Sequence, residues 1–121
     1  MNDFYYRKLQ VYHKAMTLVT TVYKLSSAFP QSERYALSDQ IQRAVISVPS
    51  NIAEGMGRFS NKERIHFLSI ANGSLMEVMC QLEAAQLLNY ISQEEFCKQE
   101  QFISEITRML VSLRKHFEEK Q

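Results

Sequence analysis

The chain has 121 residues, of which 45% are hydrophobic and 22% charged, which is enough for one domain with one core and excludes a disordered polymer. Its 14 basic and 13 acidic side chains give a formal net charge of +1, which excludes a strong overall attraction to nucleic acid. No apolar run approaches the ~18 residues of a membrane span, and the opening residues lack the apolar core of a signal peptide. We therefore expect one cytoplasmic domain over residues 1–121.

The first predicted helix spans about residues 9–28 and follows a short aromatic segment, Phe4 to Tyr6, that we expect to cover one end of the fold. It ends before Pro30, because a residue that precedes proline avoids the helical region. The apolar stripe expected to face the core consists of Leu9, Tyr12, Met16, Val19 and Tyr23, with Ala15 and Val22 beside it. The apolar residues outside that stripe are Val11, Leu18 and Leu25.

The second predicted helix, about residues 38–55, carries two stripes and a proline near its middle. Two serines compete as its N-cap, and the apolar pattern favours Ser38. Pro49 is expected to kink the helix, because it lacks an N–H and its ring crowds the preceding turn. Gly55 or Gly57 is expected to end the helix in the left-handed conformation. The apolar stripe consists of Ile41, Val45, Val48 and Ile52, and the polar stripe of Gln40, Arg43, Ser47, Asn51 and Glu54.

A serine followed three residues later by glutamate, the pattern of a capping box, precedes each of the last two predicted helices. Ser60 begins the helix at about residues 61–88, and Ser92 begins the helix at about residues 93–117. Gly73 lies inside the third helix and is expected to mark a close approach to another helix. The third helix presents Leu68, Ala71, Leu75, Val78, Leu82 and Ala85 to the core, and the fourth presents Phe96, Ile103, Ile106, Leu110, Leu113 and Phe117, with Gln99 at the one missing apolar position.

Four amphipathic helices with short connections predict an all-α fold, an antiparallel up-down-up-down four-helix bundle with a kinked second helix. Phe102 and Met109 lie beside the stripe of the fourth helix, as Leu18 does on the first. These additional apolar positions suggest a second buried surface, such as a subunit interface, so we expect self-association.

The sequence shows no pattern typical of a catalytic or metal site. Glu63 and His66 give one Glu-x-x-His spacing, whereas a di-iron bundle needs two copies and two more glutamates. Cys80 and Cys97 have no metal-type spacing and are expected to be free thiols. No serine, histidine and acid are arranged as a nucleophile, and no phosphate-binding loop is present. We therefore expect a protein that is not an enzyme and needs no metal or cofactor.

Two kinds of polar cluster remain as candidate sites. The polar stripe is interpreted as a hydrogen-bond network between helices or subunits, in which Arg43 pairs with Glu54 or Glu77 and Asn51 bridges backbone groups freed by Pro49; a ligand- or RNA-facing site is the alternative. The residues assigned to this network are Arg43, Ser47, Asn51, Glu54 and Glu77. The basic residues able to contact the phosphates of nucleic acid are Arg58, Lys62 and Arg64 at the start of the third helix, and Arg7, Lys8 and Lys14 near the start of the chain.

The chain resembles the bacterial four-helix-bundle family, whose members are also called 23S ribosomal RNA intervening-sequence proteins. The resemblance is carried by residues 40–78, which read QIQRAVISVPSNIAEGMGRFSNKERIHFLSIANGSLMEV, and by the upstream FPQSERYAL at residues 29–37. It extends over nearly the whole chain. Gln42 stands where the family often has arginine, which weakens any basic stripe on the second helix.

The resemblance implies a four-helix up-down bundle that assembles as a ring-like homopentamer and has no enzymatic activity. Some members are encoded inside intervening sequences of large-subunit ribosomal RNA genes, so the family name records a gene location. A more distant relative of the same fold is the accessory protein of diversity-generating retroelements, which binds nucleic acid and a reverse transcriptase.

Two functional hypotheses remain open. In the first, the protein is a non-enzymatic oligomeric scaffold that binds RNA or a ribonucleoprotein through basic patches repeated around a ring, and a nucleic-acid-processing protein is a further candidate partner. In the second, it is a protein–protein interaction module that recruits a protein partner with no nucleic acid involved. The net charge of only +1 favours the second hypothesis.

Overall fold

A computed structural model describes residues 4–120 as four long helices joined by short turns. The helices are α1 (Gln10–Ser26), α2 (Leu37–Met56), α3 (Asn61–Leu87) and α4 (Gln93–Glu119). Short 3₁₀ turns, Tyr5–Lys8 and Gln31–Glu33, precede α1 and α2. No strand occurs among the described residues, which confirms the predicted all-α class.

Contacts between neighbouring helices show how they close into the predicted bundle. Ser47 of α2 lies against Ser74 of α3, while Gly55 near the end of α2 lies against Phe67 near the start of α3, so these two helices run antiparallel. Lys14 of α1 pairs with a carboxylate of α4 at 3.0 Å, which brings the first and last helices together. The smallest of the four interfaces between adjacent helices is the one between α1 and α4.

The apolar stripes predicted for α2, α3 and α4 face the core. Every residue of the α2 and α3 stripes is buried. On α4 the stripe is buried at its centre and half-buried at Phe96 and Leu113. Gln99 fills the missing apolar position and is only 4% exposed. Its polar amide can be buried there because its Nε2 donates to the Glu95 carboxylate at 2.7 Å.

The stripe predicted for α1 was right for Val19 but wrong for Met16 and Tyr23, because the buried face of the helix is rotated away from these two residues. Met16 and Tyr23 are 39% and 42% exposed. The residues of α1 that face the core are Val11, Ala15, Leu18, Val19 and Val22. Apolar residues of α1 fall on two overlapping stripes, and packing against both α2 and α4 selects the second. Side chains assigned to a second surface, including Phe102 and Met109, therefore lie in or against the core of the chain itself.

Local hydrogen bonds explain where the helices begin. The predicted serine caps of α3 and α4 are confirmed. Ser60 Oγ accepts the Glu63 N–H at 3.1 Å, and Ser92 Oγ accepts the Glu95 N–H at 3.0 Å. Helix α2 begins at Leu37, so Ser38, the predicted N-cap, lies buried in the first turn of the helix. The N-cap residue is Ala36, whose side chain makes no capping hydrogen bond. The Glu33 carboxylate accepts the first helical N–H, that of Leu37, at 3.4 Å instead.

Two expectations about glycines were wrong. Gly57 ends α2 with φ −87°, outside the left-handed region, whereas Asn89 after α3 adopts φ 64°. Gly73 is exposed and has no atom within 4 Å of the position of an added Cβ, because two residues of helix turn it about 200° away from the buried Leu75. The close approach occurs at Gly55, where an added Cβ would lie 2.7 Å from the Phe67 Cβ.

Helix α2 continues through Pro49, which is buried, and the bend expected there stays a prediction. At the end of the bundle where α2 begins, Tyr90 Oη donates to Glu33 Oε2 at 2.8 Å and joins the two connecting turns. This hydrogen bond, with burial and the carboxylate charge, raises the pKa of Tyr90.

Candidate functional site

A hydrogen-bonded cluster of three half-buried side chains lies between α2 and α3. Ser47 Oγ and Ser74 Oγ are 2.8 Å apart, and Asn51 Nδ2 donates to Ser47 Oγ at 2.9 Å and to the Ser47 carbonyl at 2.8 Å. The carbonyl freed by Pro49 is that of Val45, four residues earlier, so Asn51 does not bridge the group expected. Sequence reasoning missed Ser74 because its partner lies 27 positions away.

Arg43 does not join this cluster. Its side chain is 78% exposed, and its Nε donates to Asp39 at 3.0 Å instead of reaching Glu54 or Glu77. Arg43 and Glu54 face similar directions but are 11 residues, or about 16 Å, apart along the axis, whereas Asp39 is one turn away.

The two predicted acidic members also bind other partners. Glu54 pairs at 3.0 Å with Arg58, which lies just beyond the end of α2, and Glu77 accepts from Gln81 Nε2 at 3.2 Å on α3. Within the chain, the predicted network therefore separates into a half-buried cluster around Asn51 and separate pairs between residues four positions apart.

This separation predicts unequal effects of two substitutions on α2. We expect Asn51→Ala to lower the free energy of unfolding by about 1 kcal/mol, because it removes the hydrogen bonds that Asn51 donates to the carbonyl and hydroxyl oxygens of Ser47. Arg43→Ala, the matched control, should change it by less than about 0.5 kcal/mol, since an exposed pair of this kind contributes little. Urea unfolding at equal protein concentration measures both, and equal losses would contradict the assignment.

Arg58 and Arg64, both predicted to contact phosphate, have partners within the chain. Arg58 pairs with Glu54 and Glu63, at 3.0 and 3.7 Å, and its guanidinium lies 4.6 Å from the centre of the Phe67 ring. Arg64 is half-buried, donates to an asparagine at 2.9 Å and lies 5.4 Å from the centre of the Phe117 ring. Arg64 therefore joins the start of α3 to the end of α4.

The other predicted basic residues differ in how freely they present their charge. Lys62 is exposed and forms no ion pair with residues 4–120. Arg7 is also exposed and lies over the Phe4 ring at 5.5 Å. Lys8 is exposed, while Lys14 pairs with Glu105 at 3.0 Å.

Both predicted basic clusters lie at the same end of the bundle, because α1 begins, α2 ends, α3 begins and α4 ends there. The last turns of α4 add further basic side chains that the sequence analysis did not include. We call this surface the basic end. Among residues 4–120, its basic residues are Arg7, Lys8, Lys14, Arg58, Lys62, Arg64, Arg114, Lys115 and Lys120, and its acidic residues are Glu54, Glu63, Glu118 and Glu119.

Acidic side chains outnumber basic ones at the opposite end, where α1 and α3 finish and α2 and α4 begin. The acidic residues there are Glu33, Asp39, Glu83, Glu94, Glu95 and Glu100, and the basic residues are Lys24, Arg34, Arg43 and Lys98. The formal net charge of +1 is therefore a sum over two ends of opposite sign.

The described residues contain no group of three or more metal-binding side chains, and Cys80 and Cys97 are free and exposed. Glu63 bonds to the Ser60 hydroxyl and to Arg58. Within residues 4–120, no helix combines the length and apolar character needed to cross a bilayer.

Comparison with known proteins places this bundle among relatives. The 23S rRNA-intervening sequence protein family matches residues 7–112. A crystal structure of a protein of unknown function from the S23 ribosomal protein family of Bacteroides thetaiotaomicron is similar, with a TM-score of 0.80 and 25% sequence identity, covering 87% of this chain and 95% of that one. No curated protein matches the chain. The match over most of the sequence shows that the chain belongs to the 23S rRNA-intervening sequence protein family.

Proposed function

We propose that this protein is a non-enzymatic oligomeric scaffold that binds RNA through its basic end. The observation that carries the proposal is the convergence of basic side chains from the starts of α1 and α3 and the ends of α2 and α4. Residues far apart in the sequence, such as Arg7, Lys62 and Lys115, thereby form one surface. Several phosphate contacts act together in binding a polyanion, even when each contact is weak.

The acidic end does not cancel this attraction. The 27 residues of α3 extend about 40 Å, and exposed charges are screened within about 8 Å at physiological salt. RNA at the basic end therefore experiences the local positive charge rather than the net charge of the whole chain.

Self-association is a part of the proposal that rests on the family and on exposed apolar side chains. Large apolar residues on the outward surfaces of α2 and α3 remain 38–43% exposed, namely Ile46, Ile70 and Met76. A cyclic ring of copies, with five subunits as the resemblance implies, would repeat the basic end on one side and strengthen weak binding through multivalency. Measurement of the solution mass tests this part, and a monomer at all concentrations would contradict it.

An electrophoretic shift assay with structured RNA over a series of salt concentrations tests RNA binding. We expect the affinity to fall steeply as salt rises, because binding releases counterions from the phosphates. The double variant Lys62→Gln, Lys115→Gln should bind more weakly and with a shallower salt dependence. The matched control Lys24→Gln, Lys98→Gln removes the same charge from the opposite end and should bind as the unmodified protein does. Absence of binding at low salt would rule the proposal out.

Recruitment of a protein partner is the second candidate, and one feature favours it. A groove of about 680 Å³ separates α1 from α4 and is lined by half-buried Leu25 and Phe102 together with polar side chains such as Thr21. A partner captured after nuclease digestion and lost on substitution Thr21→Arg, which fills the groove, would support this function over RNA binding.

A further inference from the structure

The turn between α2 and α3 holds a fully exposed aromatic ring. Phe59 is 100% exposed, whereas Phe29 and Phe117 are 7% and 5% exposed. Within residues 4–120, no other aromatic ring and no cationic group lies against it. Burying a phenylalanine side chain in the core is strongly favourable, so this ring adds nothing to the stability of the chain on its own.

The surroundings of Phe59 distinguish it from an ordinary exposed apolar residue. It lies at the basic end, directly after Arg58 and three residues before the unpaired Lys62. The carboxylates nearest to it in the sequence, Glu54 and Glu63, both pair with Arg58, which reduces their repulsion of phosphate. Tyr35, at 84% exposure, lies at the acidic end. Phe4 and Tyr5 lie at the basic end but are only 50% and 45% exposed, and the Phe4 ring is covered by Arg7.

An open cleft lies beside the ring. It encloses about 470 Å³ and is lined by Ala53, Glu54, Gly57, Arg58, Phe59 and Glu63. A flat hydrophobic ring next to a cleft and an exposed lysine matches the arrangement by which proteins bind single-stranded nucleic acid, in which bases stack on aromatic faces while basic groups contact the backbone. Bases in an A-form duplex stack on one another and do not offer such a face.

We infer that Phe59 stacks on an unpaired base of RNA, with the neighbouring phosphates held by Lys62 and the other basic residues of this end. The inference rests on the proposed function and makes it more specific, because it names single-stranded segments as the preferred ligand. Charge alone favours any polyanion, whereas a stacking residue discriminates unpaired from paired nucleotides.

The chain contains no tryptophan, so Phe59→Trp introduces a single tryptophan at the site, whose emission can be excited separately from that of the six tyrosines. We expect saturable quenching of its emission by a single-stranded RNA oligomer of about ten nucleotides, a typical site size, and much less quenching by a duplex of the same sequence. Tyr35→Trp is the matched control, because it places the same fluorophore on an equally open surface at the other end. Its emission should not change with either RNA.

Substitution Phe59→Ala measures the contribution of the ring. We expect the affinity for the single strand to fall about 5- to 150-fold, the range for loss of one stacked base, with little change for the duplex. Leu87→Ala is the control, since it truncates an apolar side chain that is 71% exposed far from the basic end. It should leave both affinities unchanged.

The outcomes separate the inference from the proposed function. If both RNAs bind with salt-dependent affinity and Phe59→Ala changes neither, stacking is overturned while the basic end retains its function. A lower solution mass of Phe59→Ala also overturns stacking, since it would assign the ring to a contact between copies of the chain. If neither RNA binds the unmodified protein at low salt, both proposals fail.

Discussion

Gly55→Ala is expected to destabilise the protein by about 1–3 kcal/mol, because the added Cβ would lie 2.7 Å from the Cβ of Phe67. Carbon atoms in contact normally lie 3.5–4.0 Å apart, so α2 and α3 would have to separate. The obstructing atom is attached directly to the backbone of α3 and cannot rotate away. Alanine is better than glycine inside a helix by about 1 kcal/mol, a gain smaller than the cost of separating two packed helices.

Gly73→Ala is the matched control and should have the opposite sign. Gly73 lies in the middle of α3 on its exposed face, and apart from the neighbouring residues and backbone of its own helix no atom lies within 4 Å of the added Cβ. The substitution should therefore stabilise the protein by about 0.5–1 kcal/mol. Urea unfolding followed by circular dichroism measures both variants at equal protein concentration, with solution mass recorded in parallel. Destabilisation by both alanines would contradict the packing described for Gly55.

Leu75→Ala should produce the largest loss of stability, about 2–5 kcal/mol, because Leu75 is fully buried at the middle of α3. The loss combines the transfer of the removed atoms with the cavity they leave, and flanking core residues such as Ala71 and Val78 cannot fill that space without moving. Such a loss is a large part of the free energy that holds a domain of this size together.

Leu87→Ala removes the same atoms from the same helix and controls for helix propensity. Leu87 is 71% exposed, so the change in unfolding free energy should stay within about 0.5 kcal/mol. The same denaturation experiment measures this pair. A loss for Leu75→Ala as small as that for Leu87→Ala would mean that Leu75 does not lie in the core.

The four helices and most of the core residues could be predicted from the sequence, because helical spacing and capping patterns involve residues close together in the chain. In α2 and α3 the longest series of apolar residues at helical spacing is the stripe that is buried, as Ile52 and Leu75 illustrate, while isolated apolar residues such as Ile70 lie outside it. The serine caps were equally predictable, because Ser60 and its partner are three residues apart. Helix α1 offers two stripes, and only its neighbours in space decide that Leu18 is buried and Met16 exposed.

The candidate site was less predictable, since its contacts join distant parts of the chain. The glycine that permits close packing is Gly55 rather than Gly73, and a single sequence does not show which helix faces a glycine. The basic end, in contrast, could have been derived from the predicted topology. In an up-down-up-down bundle Arg7, Lys62 and Lys115 must lie at the same end, although Arg7 and Lys62 were predicted as members of separate clusters and Lys115 as a member of neither.

Antiparallel packing has a consequence for the electrostatic dipole of the molecule. Each helix backbone carries a macrodipole, and in α1 to α4 these point alternately up and down, so they largely cancel. The difference in charge between the two ends of the bundle therefore comes almost entirely from charged side chains on the surface. Evolution or design can reverse or erase this polarity with a few exposed substitutions while every core contact is left in place.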